Sequence, residues 1–511
     1  MAFGAGLALM LVLALVLVLI GCGGSSSSPT PVPPPAAVPA LSTTDVQNIV
    51  QAAAEAADAQ GMVISVVDRG GVVLAVYRKP GAGATAEGNF GQTVDVNDLA
   101  VALARTAAYF SNDAAPLSSR TVRFISGIHF PPGVANAPNA ALYGIENTNR
   151  GCTLTTNFLP GKTIQPSTSL SGGPGLGIIT GKADLADSDP NAVNPGGVPI
   201  FRSGVVVGGV GVAGVSSDVA EYAAYAAATS NGFGPTPAAP GVVFINGIAL
   251  PFVNQTARPS GSAAGSYSGS YLVGPVASAG QPAEGDLIAP AAGPAGGLSA
   301  AEVQAVLDQA ETTAGVTRAV IRLPMGSSAR MAIAVADLDG TLIGLRRMPD
   351  STIFSVDVAA TKARNMVYFN GGARTANDLE QVPIGTAVTS RTIGFGAQPL
   401  YPPGIDGSSA GPFYALYAQD VANPCTQGFE SGLPNVNKSG IVFFPGSLGL
   451  YRNGVLVGGL GVSGDGVEQD DFVTNSAAQN FQAPSAIRAD QIEIESVRLP
   501  YLKFPPNPTQ P

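Results

Sequence analysis

The side chains that could do chemistry in this chain are few. His129, in Ser126-Gly-Ile-His129-Phe-Pro-Pro-Gly133, is the only histidine. One imidazole excludes a multi-histidine metal centre and leaves no second histidine to act as a base for a nucleophile. It could serve as a single metal ligand, axial to a haem iron for example; the alternative is a loop histidine with no metal. Tyr109 and Tyr368 are oxygen donors of a type that can reach an iron, with aromatic core packing as their alternative. Two stretches place an arginine seven residues after an aspartate: Asp98 with Arg105, and Asp357 with Arg364. On a helix that spacing puts both on one face, two turns apart. Arg105 and Arg364 could there hold an acidic ligand group, or make structural salt bridges.

Glycines form the other constellation. Gly209-Val-Gly211-Val-Ala-Gly214 and Gly459-Leu-Gly461-Val-Ser-Gly464 match the dinucleotide fingerprint as bare patterns. Each closes its repeat after a hairpin, whereas the fingerprint belongs on the first turn of a parallel unit. The strand after the first copy's last helix ends in Asn246, so no acidic partner for a ribose follows. The pattern reads instead as a strand so bare of side chains that a helix, a second copy or a flat ligand can approach closely. No Gly-x-Ser-x-Gly elbow has a histidine placed to serve it, and neither a CxxC nor a phosphate loop is present. Asp68 and Asp337 are turn formers beside tight hairpins. Asp470-Asp471 reads as a solvated helix start.

The elements that must position these residues occur twice. Leu41-Ser-Thr-Thr-Asp-Val-Gln and Leu298-Ser-Ala-Ala-Glu-Val-Gln open the copies, each with a capping box, Ser42 with Asp45 and Ser299 with Glu302. Helical stripes follow, Val46, Ile49, Val50, Ala53 and Ala57 in one, Val303, Val306 and Leu307 in the other. Hairpins turn at Arg69-Gly-Gly71 and Leu338-Asp-Gly340. Second helices carry Asp98 to Phe110 and Asp357 to Phe369. Long irregular stretches contain Ser119-Arg-Thr-Val and Ser390-Arg-Thr-Ile. A final hairpin and helix close each copy. Residues 255–297, rich in Ser, Gly, Ala and Pro, read as a linker between domains at 41–254 and 298–511. Duplication on this scale means two domains packed as an internal pseudo-dimer.

With 511 residues, 45% apolar and 12% charged, the chain has ample core. A net charge of −10 without a Lys/Arg cluster argues against nucleic acid as a partner. Leu7 to Ile20 is an apolar run shorter than a typical membrane span. It runs into Leu19-Ile-Gly-Cys22, which resembles a bacterial lipoprotein signal over residues 1–22, with Cys22 the lipidated residue. Residues 23–40 would be a Ser/Pro-rich tether. These features predict an exported, lipid-anchored protein of the bacterial cell envelope. Export makes a disulfide chemically accessible to Cys152 and Cys425, which sit at comparable places in the two copies. They either meet near a pseudo-twofold axis or remain separate loop thiols.

Helix, hairpin, a helix with Lys362-Ala-Arg364, a loop, then Gly454 to Gly464 and Glu468-Gln-Asp470, resembles the GlcG/HbpS family of haem-binding proteins. Both copies resemble it, over about 41–230 and 298–485. The resemblance implies α+β architecture: two tandem profilin-like domains, each an antiparallel sheet with packed helices. It implies small oligomeric modules, some of which bind haem or iron and sense redox state. It also brings Lys362 into the candidate site; the first copy has Leu103 there. Taken together, the sequence predicts a haem or planar-ligand binding protein of the envelope, with haem as its cofactor. The site residues would be His129, Arg105, Arg364, Lys362, Gly209, Gly211, Gly459 and Gly461. The alternative is an envelope interaction module without a small ligand. An enzyme acting on a small hydroxy acid or corrinoid would need one carboxylate–Arg pair lining a pocket in both copies.

Overall fold

Both copies start as their capping boxes dictate. The Ser42 N–H donates to Asp45 at 2.8 Å while the Ser42 hydroxyl accepts from the Asp45 N–H, and Ser299 and Glu302 repeat the exchange. The computed structural model describes residues 39–154, 157–183, 195–235, 243–429 and 437–509. The leader, Cys22 and all but the last two residues of the tether lie outside the described residues.

The first copy runs α1 (Thr43–Ala56), β1 (Val63–Asp68), β2 (Val73–Arg78), a ribbon of β3 (Thr85–Glu87) and β4 (Thr93–Asp95), α2 (Val96–Phe110), α3 (Ser119–Phe124), β5 (Gly197–Arg202), β6 (Val205–Ala213) and α4 (Ser217–Thr229). A ribbon of β7 (Phe244–Ile245) and β8 (Ile248–Ala249) and the strand β9 (Ser270–Val273) complete it. The second copy begins with β10 (Gly285–Ile288), followed by α5 (Ala300–Val316), β11 (Ala332–Ala336), β12 (Leu342–Arg347), α6 (Phe354–Asn370) and α7 (Ser390–Gly396). It ends with α8 (Tyr414–Ala422), β13 (Ser447–Arg452), β14 (Val455–Ser463), α9 (Val467–Ala477) and a ribbon of β15 (Glu493–Ile494) and β16 (Val497–Arg498). Each copy is a five-stranded antiparallel sheet, ordered β5-β6-β1-β2-β9 and β13-β14-β11-β12-β10. The two orders correspond strand for strand. Both are the expected profilin-like arrangement, with helices on both sheet faces.

The stretch 255–297 does more than link. It supplies β9 to one sheet and β10 to the other, each hydrogen-bonded along the open edge of β2 or β12. Composition alone hid this, because Ser- and Gly-rich residues suffice for an edge strand whose outer side faces solvent. Both copies belong to one compact unit, Val38–Pro511. No helix among the described residues is long and apolar enough to cross a membrane.

On one sheet face of the first copy, Val46, Ile49, Val50 and Ala53 of α1 and Ala220, Ala223, Ala224 and Ala227 of α4 pack with Val210 and Val212 of β6. Fully burying a Val or Ile side chain contributes roughly 1.5–3 kcal/mol. Strand residues alternate faces, so Gly209 and Gly211 turn to the other side, where α2 lies. A Cβ on Gly209 would overlap the Ala104 carbonyl oxygen, and one on Gly211 that of Ala100. In the second copy the same positions, Gly459 and Gly461, abut the carbonyls of Ala363 and Ala359 on α6. The glycines therefore seat a helix. This corrects their assignment as ligand-binding residues: the space left by their missing side chains is filled by backbone.

The copies meet about a pseudo-twofold axis. Cys152 and Cys425, 273 residues apart, form a disulfide with Cα atoms 5.3 Å apart. Asn147 and Asp420 have the same separation, and the Asn147 Nδ2 donates to Asp420 Oδ2 at 3.0 Å. A residue meets its own counterpart only at a twofold axis. Nearby, the Tyr143 and Tyr417 rings lie 5.0 Å apart. At another point of the interface Phe110 at the end of α2 stacks on Phe354 at the start of α6, with centroids 4.0 Å apart.

Two outcomes follow from this packing. Gly211→Val drives two methyl groups and a Cβ into α2. It should cost about 3 kcal/mol, the upper end of ordinary overpacking, in a denaturant titration, whereas Val210→Ile on the opposite face of β6 should cost less. The second concerns the axis. Burial pushes the Asp420 carboxyl up to about 7 from its ordinary 3.8, against the pull of Arg150 and Asn147. Burial likewise raises Asp357 to about 6 and Asp470 to about 7. An acid with a raised folded pKa keeps its proton longer when folded. Its stabilisation is complete below the unfolded value and lost as pH rises through the folded one, at up to about 1.4 kcal/mol per unit of pKa difference. The thermal midpoint should therefore fall between about pH 5 and pH 8, and Asp420→Asn should make that decline shallower. An unchanged slope in the variant would remove Asp420 from the account.

Candidate functional site

The equivalent helices α2 and α6 carry most of the candidate residues, and their outer faces set what each can do. Arg105 donates through Nε to the Gly71 carbonyl at 3.0 Å and through Nη1 to that of Thr168 at 2.7 Å. Arg364 donates through Nε to Gly340 O at 3.1 Å, through Nη1 to Thr153 O at 3.1 Å, and through Nη2 to Leu154 O. Burial lowers its pKa to about 10. Both arginines hold loop carbonyls, neither the acidic ligand group nor the salt bridge that the spacing suggested. Asp95 caps α2, while Asp98 accepts from the Ser169 hydroxyl at 2.6 Å and the Leu170 N–H at 2.8 Å. Asp357 accepts from the Asn149 N–H of the other copy at 2.7 Å. Asp98 and Arg105 line one narrow cleft, but Asp357 and Arg364 line two different cavities. Among the described residues, Asp357 and Arg364 share neither of these cavities.

The copies differ most at the position of Lys362. Its ammonium is fully buried and donates to Val462 O at 2.7 Å and to Asp470 Oδ2 at 3.1 Å, with the Phe444 ring centroid 5.0 Å away. Gly446 closes over the pair, for a Cβ there would lie 2.6 Å from both the Lys362 ammonium and the Asp470 Cβ. In the first copy the counterparts are Leu103, Ala220 and Gly196. Neither charge is present, and a cavity of about 610 Å³ opens, walled by Leu99, Leu103, Val212 and Ala220 and joined by Thr85, Glu87, Ser216 and Ser217. Lys362 is thus an internal plug of the second copy rather than a ligand contact. At this position the space is open in the copy that lacks the pair.

His129 lies elsewhere. Its Nε2 sits 2.6 Å from Asp406 Oδ1 of the second copy, and Asp406 also accepts from the Asn136 N–H at 3.1 Å. The imidazole ties two loops across the copies and lines none of the cavities above. Among the described residues no three His, Cys, Asp or Glu side chains cluster to hold a metal. Tyr109 and Tyr368 are core residues, their hydroxyls 2.9 Å from Ser167 Oγ and from Asp378 Oδ2. Asp68 accepts from the N–H groups of Gly70 and Val72, as a turn former does, whereas Asp337 takes the Ala295 N–H of the preceding segment.

Two buried ion pairs went unrecognised. Arg120 reaches Glu221 at 2.6 Å, and in the second copy Arg391 reaches Asp471 at 2.5 Å. Each locks the short helix after the first long loop, α3 or α7, to the last helix, α4 or α9. Asp470 and Asp471 are therefore buried partners of Lys362 and Arg391, not a solvated helix start. The signal was in the sequence: Ser119-Arg-Thr and Ser390-Arg-Thr agree between copies, as do Glu221 and Asp471 in charge. What sequence could not supply was the proximity of segments 101 and 80 residues apart, respectively.

Comparison with known proteins agrees with this architecture. A model of the haem-degrading HbpS-like family matches residues 41–229 and 307–479. The corrinoid adenosyltransferase PduO of Salmonella typhimurium is 28% identical over 162 residues, 32% of this chain and 35% of that protein. The chain thus matches about a third of that relative's length. Among solved structures, a PduOC:haem complex is similar at 22% identity and a TM-score of 0.24, covering 37% of this chain and 97% of the other. The Klebsiella pneumoniae protein ORFY is similar at 21% identity and a TM-score of 0.23, covering 37% and 92%. With both sheet-and-helix units matched by the family model, the chain belongs to the HbpS-like family, as two tandem copies.

Proposed function

We propose that the protein binds haem or another planar apolar ligand in the cavity of its first copy, while the second copy serves as a packing partner. The observation that carries this reading is the replacement of Lys362 and Asp470 by Leu103 and Ala220, which leaves about 610 Å³ open where the second copy is filled. That volume lies within the usual range of small-molecule pockets, and the aliphatic patch of Leu99, Leu103, Val212 and Ala220 offers a face for a planar ring. The family name supports haem as the ligand class. The donor set is less complete. Among the described lining residues there is no His, Cys, Met or Tyr, so iron held there would meet oxygen donors such as Glu87 or a hydroxyl. Leu99, Leu103, Val212 and Ala220 would hold the ring by shape. His129, spent on Asp406, is not its ligand. On the same reading the protein is exported, anchored through lipidated Cys22, and stores, senses or relays its ligand at the cell envelope.

Haemin titration followed in the Soret region tests the proposal. Wild type should give a saturable shift, and His129→Ala should keep it. Leu103→Lys with Ala220→Asp, which rebuilds the second copy's plug in the first, should weaken binding at least tenfold. A shift lost in His129→Ala but kept in the plugged variant would move the site to the loops. No saturable shift in wild type would favour an envelope interaction module instead.

A further inference from the structure

A second cavity lies in the seam between the copies, apart from the first-copy cavity. It measures about 210 Å³, and its lining includes Phe158, Ile164 and Tyr109 from the first copy and Ile353, Val356 and Asp357 from the second. At roughly 30 Å³ per water-sized group, it has room for about seven. Aromatic and aliphatic surface predominates, and Asp357 is the one ionisable carboxylate among these six. The Tyr109 hydroxyl is already engaged with Ser167 Oγ, so the ring rather than the oxygen is what this residue offers.

Asp357 is only half satisfied. Oδ2 accepts from the Asn149 N–H at 2.7 Å, and no described residue hydrogen-bonds to Oδ1 or pairs with the carboxylate as a cation. Arg364, on the same helix, acts on Asp357 through space, but its guanidinium is engaged by the carbonyls of Gly340, Thr153 and Leu154. Asp357 is part-buried at the cavity wall, and a carboxylate held partly out of water gains from a cationic partner beside it. Aromatic faces next to a carboxylate are also the surroundings that attract organic ammonium groups.

We infer that the seam between the two copies is a binding site for a small organic cation, its ammonium against Asp357 and its apolar part against Phe158, Ile164, Ile353 and Val356. Burial raises the Asp357 carboxyl to about 6, so it is ionised at neutral pH and able to take such a ligand. The site depends on the fusion, because each copy supplies one wall, and the Cys152–Cys425 disulfide borders it through Cys152.

Isothermal titration of the whole protein with choline, n-butylammonium and 3,3-dimethylbutan-1-ol, the neutral carbon isostere of choline, tests the assignment. At least one cation should bind saturably and at least tenfold more tightly than the alcohol. Asp357→Asn, which can still accept from Asn149, should abolish that preference, and Ile164→Phe, which fills the cavity from the loop side, should weaken the cation at least tenfold. The inference is overturned if neither cation saturates wild type, if the alcohol binds as tightly, or if the preference survives in Asp357→Asn. Should Asp357→Asn fail to fold, Ile164→Phe decides: retained cation affinity there places binding outside the seam.

Discussion

The contact on which the rest of this structure depends is that of a helix lying against a strand without side chains. Gly209 and Gly211 admit α2, and Gly459 and Gly461 admit α6, close enough that any Cβ would overlap a helix carbonyl. Such an approach fixes the helix's height above the sheet and its rotation. The Ala-rich inner faces of the helices are the complement of those glycines: Ala100, Ala104, Ala359 and Ala363 are fully buried. Once the inner face is set, the outer face is set too, and it carries Asp98, Arg105, Asp357 and Arg364. Those charges then anchor the long loops through backbone groups: Arg105 holds Thr168, Arg364 holds Thr153 and Leu154, Asp98 holds Leu170 and Asp357 holds Asn149. The loops are ordered by helices whose position was decided by glycine.

Fusion adds a second constraint at the axis. The disulfide and the Asn147–Asp420 hydrogen bond join counterparts, so the interface is isologous in origin yet no longer bound to be symmetric. Covalent linkage on one chain lets the counterparts diverge. Asn147 faces Asp420 where a true homodimer would place two identical residues at the axis. Two aspartates there would repel, and the amide supplies the donor that a second carboxylate could not.

The sequence made the repeat, the capping boxes, both hairpins and both long helices legible because each rests on local chemistry. Ser42 with Asp45 is a contact three residues apart, and the Gly70-Gly71 turn needs no distant partner. It also led to the glycine-bare strands but left their occupant open, since a missing side chain records that something approaches without saying what. The ion pairs Arg120–Glu221 and Arg391–Asp471 depend on tertiary proximity, and Asp470-Asp471 reads from its neighbours as a polar helix start. His129 stood out because it is unique, yet rarity of a residue type is no measure of its environment. The strands β9 and β10 were hidden for a related reason: pairing along a sheet edge is made by backbone, which composition does not report.

Lys362 and Asp470 mark where the two copies part. A buried ammonium–carboxylate pair gains Coulomb energy but gives up the hydration of both groups, so exchanging the whole pair for apolar residues is often close to neutral in stability. Losing one partner alone is not, because it leaves an unpaired charge inside the protein. Leu103 and Ala220 are the complete exchange: both charges are gone and the side-chain volume is smaller. The first copy can thus carry an open cavity without stranding a charge, while the second keeps the same space filled by the Lys362–Asp470 pair. The two matching folds therefore differ at this one position by a complete exchange of a charged pair for two apolar side chains.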